Sequence, residues 1–338
     1  MAANKKVLII YTGGTIGMVR GEHGYYPKHN TLQEYLVSGV RIVKEEMPEW
    51  DLMEFDPLLD SSDITVTDWN KIGRAIADNY EKYDGFVVLH GTDTMAYTAS
   101  ALSFMLEGLN KPVIFTGSQI PLCELRSDGY DNILNSILFA ASDEIREVCL
   151  CFDGELLRGN RSVKISAEHF RAFASPGYPV LAECGIEVTY NRDALQKPDN
   201  RIFSLQELSP ASIGVIKIFP GVQFRQFEPI MNEGLNALIL ESFGAGNIPG
   251  NGTDVMPLLK RARETGCIVT VCTQCQKGRV SLGAYESSRA LVENGAVNAL
   301  DMTTEATIAK LYYLISKGLS VDSIKKYMGI DLCGEITV

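Results

Sequence analysis

The amino-acid sequence predicts an α/β protein of two domains: a larger N-terminal, doubly wound, mostly parallel sheet with flanking helices, and a smaller C-terminal α/β domain. The chain has 338 residues, more than a single hydrophobic core usually supports. Short apolar runs alternate with longer stretches of helical periodicity. The periodicity is lost over residues 191–211, which predicts a linker between domains at 1–190 and 212–338.

The N-terminal half alternates strands with helices. Strands are predicted at residues 6–11, 85–90, 112–116 and 147–152. Helices are predicted at residues 67–83, 94–107 and 127–141. The first helix has Trp69, Ile72 and Ile76 on one face behind a Thr67 cap. This βα alternation predicts a mostly parallel sheet with helices on both faces.

The C-terminal half repeats the alternation on a smaller scale. Strands are predicted at residues 213–219, 237–241 and 267–273. Helices are predicted at residues 253–265, 284–294, 304–317 and 321–328. Ligands of open parallel sheets bind outside the carboxyl ends of the strands, so functional residues are expected just after strands.

Charge and hydropathy exclude several classes of partner. The formal charge is -11, and no Lys/Arg block is long enough to follow a phosphate backbone, so nucleic acid is not expected as a partner. The apolar run at 7–10 is too short for a signal peptide or a membrane span. We therefore expect a cytoplasmic protein with a small-molecule substrate.

The cysteines and histidines do not predict a metal site or a cofactor. Most of the eight cysteines lie in apolar runs, which indicates buried thiols. The CTQC segment (272–275) has no second cysteine pair, so structural thiols are favoured over a zinc or redox site. The histidines lack ligand spacing: His23, His29, His90 and His169. His90, which precedes a glycine, is expected to be hydrogen-bonded inside the fold.

Two predicted strands end in turns that place threonine beside glycine. The first turn is TGGTIG (12–17) and the second is HGTDT (90–94). The first lacks the glycine spacing of a dinucleotide loop and the lysine of a P-loop. Capping of the next helix by Asp93 and Thr94 is the simplest explanation of the second turn. The alternative is a hydroxyl nucleophile, which without a suitably ordered histidine needs a lysine or a carboxylate as its base.

The segments IIYTGGTIG (9–17) and GFVVLHGTDTM (85–95) resemble the two signatures of the L-asparaginase family. The resemblance continues through DSSD (60–63), TGSQIPLCELRSDG (116–129) and RGNRSVK (158–164) to the C-terminal helices. It implies cofactor-free hydrolysis of the side-chain amide of L-asparagine to L-aspartate and ammonia through a threonine acyl-enzyme. Ser61 and Ser62, where the periplasmic subtype usually has Ser-Gln, are similar to the bacterial cytoplasmic (type I) subtype.

The resemblance implies a role for each matching residue. Thr15 matches the nucleophile, and Thr92, Asp93 and Lys164 match a second catalytic cluster. Burial would lower the pKa of Lys164 and suit it to take a proton from Thr92 or from water. Tyr25 matches the tyrosine of a lid over the nucleophile. The neighbouring Tyr26 is the alternative for this lid position.

Recognition of the amino acid is also implied by the resemblance. Ser61 and Ser62 would donate to the α-carboxylate, and Asp93 would pair with the ammonium group. Backbone N–H groups of the turns at Gly14 and Thr92 would hold the oxyanion. Without the other motifs, DSSD would be a turn or capping cluster. The implied substrate-binding residues are Gly14, Asp60, Ser61, Ser62, Thr92 and Asp93.

The resemblance further implies a homo-oligomer, a dimer or a dimer of dimers (homotetramer), with an allosteric asparagine site in some members. The matching residues are Glu241, Asn247, Thr273, Gln274 and Cys275. Some cooperative members have arginine where this chain has Glu241. A carboxylate there repels the carboxylate of the effector, which predicts weak or absent cooperativity.

Two other classes of protein share part of this pattern. A non-catalytic amino-acid-binding module would keep Ser61, Ser62 and Asp93 but has no need for the two threonines and Lys164 together. An asparaginase-like subunit of a tRNA-dependent amidotransferase carries an N-terminal extension ahead of the threonine turn, and Thr15 is expected to leave no room for one. Ammonia release from free asparagine without tRNA separates these alternatives.

Overall fold

The computed structural model describes residues 4–22, 24–39, 47–231, 234–249, 254–283 and 286–338. The chain divides into two compact units, Met1–Glu207 and Leu208–Val338. Residues 191–207, which the sequence assigns to a linker, lie in the first unit. There, the short strand Ser204–Leu205 pairs with Leu106–Glu107.

The first unit combines one large sheet with four helices among the described residues. Its strands are β1 (Lys6–Gly13), β2 (Met18–Gly21), β3 (Gly24–Pro27), β4 (Glu49–Leu59), β5 (Gly85–Leu89), β6 (Leu106–Glu107), β7 (Val113–Thr116), β8 (Val148–Phe152), β9 (Glu155–Arg158), β10 (Val163–Lys164), β11 (Phe173–Ala174), β12 (Ala182–Cys184), β13 (Val188–Tyr190) and β14 (Ser204–Leu205). Its helices are α1 (Thr31–Gly39), α2 (Val66–Ala77), α3 (Met95–Met105) and α4 (Gly129–Ala140). Short 3-10 turns follow β1, β4 and β9 at Thr15–Gly17, Ser61–Asp63 and Gly159–Arg161.

The large sheet has the strand order β13-β12-β9-β8-β7-β5-β1-β4. Its strands β4, β1, β5, β7 and β8 are parallel, and β9, β12 and β13 extend it antiparallel at one end. Alternate residues of β1 (Val7, Ile9 and Tyr11) pack with residues of α1 and α4 in one apolar core. On α3, Met95 and Ala99 are fully buried. The mostly parallel α/β sheet of the first unit is therefore confirmed.

The second unit contains a parallel sheet in the order β15-β16-β17-β18. The strands are β15 (Ile213–Lys217), β16 (Ala237–Ser242), β17 (Ile268–Thr273) and β18 (Val297–Asn298). The helices are α5 (Met256–Thr265), α6 (Glu286–Glu293), α7 (Thr304–Ser316) and α8 (Val321–Met328), and a 3-10 helix spans Phe224–Met231. Separate apolar clusters gather residues of α5 and α6 and residues of α7 and α8, so the sheet is covered on both faces.

An ion pair lies inside the second unit. Lys310 on α7 and Glu335 near the C-terminus have fully buried side chains, and their Nζ and Oε1 atoms are 2.5 Å apart. Lys310 also donates to the main-chain oxygen of Ile330 at 2.6 Å. Glu335 accepts from the backbone N–H groups of Leu332 and Cys333 at 3.0 and 2.8 Å. The C-terminal segment is therefore anchored to α7 by paired buried charges.

The structure corrects some of the predicted boundaries. Helix α2 begins after Thr65, not at Thr67, because the Asp68 carboxylate accepts from both the N–H and the hydroxyl of Thr65. It ends at Ala77 rather than at residue 83. The predicted helix beginning at residue 253 starts at Met256 instead, and residue 253 itself lies outside the described residues.

Candidate functional site

Neighbouring parallel strands bring the two threonine turns together. The turn after β1 carries Thr15 and the turn after β5 carries Thr92, and β1 and β5 are paired. Gly14 has φ 91°, a conformation that favours glycine, and a Cβ atom on Gly14 would lie 2.5 Å from the Cα of Gly91. The two turns therefore touch through backbone, which is possible because Gly14 has no side chain.

The DSSD loop lies against the second threonine turn. A Cβ atom on Gly91 would lie 2.3 Å from the Oγ of Ser61. The hydroxyl of Thr94 donates to the main-chain oxygen of Ser61 at 2.7 Å, so it holds this loop and does not cap α3. The structure thus brings Gly14, Ser61 and the turn of Thr92 to one place at the carboxyl edge of the sheet.

Part of the DSSD loop also has the capping role that was the alternative explanation of this motif. The carboxylate of Asp60 accepts from the N–H and the hydroxyl of Ser62, both at 2.9 Å, and it caps the short 3-10 turn. Ser61 is buried, whereas Asp60 and Ser62 are exposed. Asp60 therefore shapes the loop, and Ser61 lies deepest in it.

A lysine connects the two side chains that follow Gly91. The Nζ of Lys164 donates to the Oγ1 of Thr92 at 2.9 Å and to Asp93 at 2.6 Å. Thr92 is buried, the side chain of Lys164 is 21% exposed, and that of Asp93 is 65% exposed. Lys164 thus contacts both other residues of the second cluster, although it lies more than 70 positions after them in sequence. Asp93 is accessible to solvent.

Buried cations support the segment that carries Lys164. The guanidinium of Arg158 at the end of β9 is ion-paired with Glu147 at 2.6 Å, and both side chains are buried. Arg161, in the next turn, is buried and donates to the main-chain oxygen of Gly177 at 2.9 Å. Strand β10 then pairs with β11, so Lys164 lies opposite Phe173. This packing fixes the position from which the lysine reaches Thr92.

Thr15 begins the 3-10 turn after β1 and is half-buried. Tyr11 lies under this turn, because a Cβ atom on Gly17 would be 2.2 Å from the Tyr11 Oη. The hydroxyl of Thr12 donates to the main-chain oxygen of Leu89 at 2.9 Å and ties the end of β1 to the end of β5. The position of Thr15 is therefore set by buried neighbours on both sides.

Tyr25 lies on the hairpin β2–β3, which follows Thr15. Tyr25 is 46% exposed, and its hydroxyl donates to Glu124 at 2.9 Å and not to Thr15. Tyr26 is 48% exposed, so exposure alone does not distinguish the two tyrosines. The described geometry places Tyr25 next to Glu124, a residue that was not predicted as part of the site.

Gln119 is a second residue that sequence reasoning missed. Its Oε1 lies 3.5 Å from the Oγ1 of Thr92, and its Nε2 donates to the main-chain oxygen of His169. The half-buried carboxylate of Asp128 accepts from the N–H of Gln119 at 3.0 Å, and partial burial raises the pKa of Asp128 despite its backbone hydrogen bonds. The available signal was position, because Gln119 follows the buried strand β7 as Thr92 follows β5.

His90 has the internal role that the sequence predicts. Its Nδ1 is 2.7 Å from the main-chain oxygen of Gly91, so the ring must donate from Nδ1. Burial lowers the pKa of His90 to about 4. The ring is therefore neutral at physiological pH and supports the turn of Thr92 without carrying charge.

The residues predicted for an allosteric site gather at the carboxyl ends of β16 and β17. The Oε1 of Glu241 accepts from the hydroxyl of Thr304 at 2.7 Å. The side chain of Gln274 donates to the main-chain oxygens of Ile218 and Glu241 at 2.6 and 2.7 Å. Thr273 accepts from the N–H of Cys275 at 3.0 Å, and Asn247 forms a β-bridge with Phe243. Glu241 and Gln274 thus already have partners within this unit.

All eight cysteines are free thiols. In the CTQC segment, Cys272 is buried and its thiol donates a hydrogen bond to the hydroxyl oxygen of Thr307 at 3.3 Å, whereas Cys275 is exposed. Across the described ranges, no group of three His, Cys, Asp or Glu side chains is placed to hold a metal ion. Within the same part of the chain, no helix has the length and apolar character needed to cross a membrane.

Comparison with known proteins covers nearly the whole chain. The family models described as "Asparaginase, N-terminal" and "Glutaminase/Asparaginase C-terminal domain" match residues 6–196 and 212–328. The chain is 46% identical to L-asparaginase 1 of Escherichia coli (strain K12) over 333 residues, 98% of each protein. It is similar to the crystal structure of L-asparaginase I from Vibrio cholerae (TM-score 0.91, 45% identity, 99% of this chain and 100% of that one). It is also similar to the thermostable L-asparaginase from Thermococcus kodakarensis (TM-score 0.88, 32% identity, 98% and 99% coverage).

Proposed function

Because the chain belongs to the asparaginase family, we propose that it is an L-asparaginase that hydrolyses the side-chain amide of L-asparagine to L-aspartate and ammonia. The observation that carries the proposal is the contact between the turns of Thr15 and Thr92, with Lys164 bonded to Thr92 and Asp93. We assign the catalytic role to the N-terminal domain.

In the proposed mechanism, the hydroxyl of Thr15 attacks the amide carbon of the substrate. Backbone N–H groups of the turns at Gly14 and Thr92 hold the oxyanion of the tetrahedral intermediate. Its collapse breaks the C–N bond, the leaving nitrogen takes up the proton that the Thr15 hydroxyl gave up, and ammonia departs to leave an acyl ester on Thr15. Water then attacks the ester and releases aspartate. Lys164 exchanges a proton with Thr92 or with the attacking water, through the hydrogen bonds that already join it to Thr92 and Asp93.

The substrate's charged ends are assigned to opposite partners. Asp93, largely exposed beside the Thr92 turn, would pair with the α-ammonium group. Ser61 and Ser62 of the DSSD loop would donate to the α-carboxylate. The support for this assignment is the contact of Ser61 with Gly91. Gly91 is two residues before Asp93, so the DSSD loop lies against the turn that carries Asp93. No metal or cofactor takes part in this mechanism.

The proposal is tested by incubating the purified chain with free L-asparagine, without tRNA, and measuring ammonia and aspartate in equal amounts. An amino-acid-binding module would bind asparagine and release no ammonia. A subunit of a tRNA-dependent amidotransferase would release ammonia efficiently only when its partner subunit and charged tRNA are present. Either result would contradict the proposal.

We expect Lys164→Met to lower kcat by about 10²–10⁴-fold, the usual contribution of a positioned proton-transfer group. Methionine keeps most of the volume of the side chain but cannot donate to Thr92 and Asp93. The matched control is Lys197→Met, because Lys197 is an exposed lysine of the same unit. Steady-state ammonia release decides the outcome: near-normal turnover of Lys164→Met would remove Lys164 from the mechanism.

We expect asparagine to be preferred over glutamine. Glutamine has one more methylene, and fitting or rejecting one methylene changes the transition-state free energy by about 1–3 kcal/mol, which is roughly 10–200-fold in kcat/KM. Some glutaminase activity should therefore remain. Ammonia release from each amide at several concentrations gives the two kcat/KM values, and equal values would show that the assigned substrate is wrong.

We expect weak or absent cooperativity toward asparagine. Glu241 is an acidic residue already bonded to Thr304, so it would repel the α-carboxylate of an effector and offers it no cation. The measurement is initial velocity against asparagine concentration, which should give a hyperbola. A sigmoidal curve that becomes hyperbolic in Thr273→Ala would show that a second site works despite Glu241.

We further propose a cytoplasmic location and a homo-oligomer, either a dimer or a dimer of dimers. The support is similarity to type I relatives of this family, and light scattering of the purified chain distinguishes the two assemblies.

A further inference from the structure

The hairpin β2–β3, which carries Tyr25, rests on a turn formed by residues 121–124, here named the support turn. The N–H of Glu124 donates to the main-chain oxygen of Pro121 at 3.0 Å and closes this turn. The chain continues from it directly, since the N–H of Ser127 donates to the main-chain oxygen of Glu124. The support turn is thus a folded element with its own backbone hydrogen bonds.

Successive residues of the support turn contact the chain that follows Thr15. The N–H of Leu122 donates to the main-chain oxygen of Ile16 at 3.1 Å. The Sγ of Cys123 lies 3.4 Å from the main-chain oxygen of Met18. These contacts place the next residue, Glu124, beside the outer part of the hairpin.

Glu124 contacts one residue on each strand of the hairpin, and these two residues are paired with each other. Its Oε1 accepts from the hydroxyl of Tyr25 at 2.9 Å and lies 3.9 Å from the Nε of Arg20. Arg20 and Tyr25 are directly opposite each other in the pairing of β2 with β3. One carboxylate therefore contacts a cross-strand pair, which fixes the direction of the Tyr25 ring as well as its position.

We propose that Glu124 is a positioning residue for Tyr25: its carboxylate accepts the hydrogen bond of the phenol hydroxyl and so turns the lone pairs of the phenol oxygen toward the hydroxyl of Thr15. This inference rests on the proposed function, in which Tyr25 acts on Thr15. A phenol hydroxyl has a single hydrogen to donate. If Glu124 accepts that hydrogen bond, the phenol oxygen can only accept a hydrogen bond from any other neighbour. Thr15 can then donate to Tyr25 while it approaches the amide carbon.

The base of the support turn is held firmly enough for this role. The carboxylate of Asp128 accepts from the N–H groups of Gln119 and Ile120, each at 3.0 Å. Gln119 in turn contacts the hydroxyl of Thr92. The segment that presents Glu124 to the hairpin is therefore the same segment that contacts the second threonine. The hydrogen bond to Glu124 also raises the pKa of Tyr25, so the phenol keeps its proton at neutral pH.

A double-mutant cycle separates this role from that of an ordinary surface contact. Glu124→Ala is expected to lower kcat/KM for asparagine about tenfold, the usual effect of losing a hydrogen bond to a charged group. Glu124→Gln should lose less, because its amide oxygen still accepts from Tyr25. In a Tyr25→Phe background, Glu124→Ala should change kcat/KM by less than about twofold, since the partner is already gone. Glu22→Gln, an equal change of charge on the same hairpin, is the control and should act like the wild type.

Additive effects of Tyr25→Phe and Glu124→Ala would overturn the proposal, as would wild-type kinetics for Glu124→Ala. A second readout does not depend on catalysis. Trypsin cleavage after Arg20 should be faster in Glu124→Ala and in Tyr25→Phe than in the wild type. The double variant should be cleaved no faster than either single variant. Unchanged thermal unfolding temperatures show that each variant is folded. If the wild type releases no ammonia, the proposed function fails, and cleavage rates equal to the wild type in Glu124→Ala would still independently overturn the positioning role.

Discussion

Replacing Thr15 by valine should abolish turnover while leaving the fold intact. Valine has nearly the same shape as threonine but no hydroxyl, and removing a nucleophile costs on the order of 10⁴-fold or more in kcat. Thr15 is half-buried at the start of a short turn, and the neighbouring strand is held by its own pairing, so little structural change is expected.

The matched control is Thr12→Val, in the same motif. The hydroxyl of Thr12 is used in a hydrogen bond to Leu89, so its loss should affect stability more than chemistry. Both variants are compared by ammonia release and by thermal unfolding. Residual activity of Thr15→Val above about 1% of the wild type would show that Thr15 is not the nucleophile, because the missing hydroxyl leaves no acyl-enzyme route.

Lys310→Met should be the most destabilising single change considered. It leaves the carboxylate of Glu335 buried without its cation, and breaking a buried ion pair by removing one partner costs about 3–5 kcal/mol of unfolding free energy. The control is Lys326→Met on α8, because Lys326 is exposed. Denaturant unfolding gives both free energies. A loss in Lys310→Met no larger than in the control would show that the pair contributes little.

The same variant should change the pH dependence of stability. Burial favours a raised pKa for Glu335, but Lys310 and backbone N–H groups together hold it below its ordinary value. In the wild type, the carboxylate therefore contributes stability above the unfolded-state pKa, and this contribution is lost as pH falls through the folded-state pKa. Without Lys310, burial dominates, so the destabilisation should be greater at pH 8 than at pH 5. An equal loss at both pH values would contradict this explanation.

The parallel framework was readable from the sequence because buried strands are short apolar runs between amphipathic helices. Strand β4 was not predicted, although it pairs with β1 along its length. Its segment, EWDLMEFDPLL, mixes charged and apolar residues, because it is an edge strand and none of its residues is fully buried. The antiparallel strands β9, β12 and β13 were missed because each is only three or four residues long and is defined by its pairing in the folded sheet.

The site was readable only where a residue lies directly after a strand or within a known motif. Thr15 and Thr92 met both conditions, and the structure places their turns in contact. Lys164 was identified by resemblance alone, because nothing local in RGNRSVK indicates that packing of Arg161 and β11 directs the lysine to Thr92. The partnership of Tyr25 with Glu124 joins residues 99 positions apart and depends entirely on the folded turn between them.

The backbone contact between Gly14 and Gly91 also limits how the width of this site can be altered. A Cβ atom at Gly14 would collide with backbone atoms 2.5 Å away, and neither glycine can be replaced by anything smaller to compensate. Substitution can therefore change the walls of the pocket, at Ser61 for example, but it cannot move the two threonine turns closer together. A side chain at Gly14 could be accommodated only by moving the two turns apart, so the close approach of the threonine turns depends on glycine at this position.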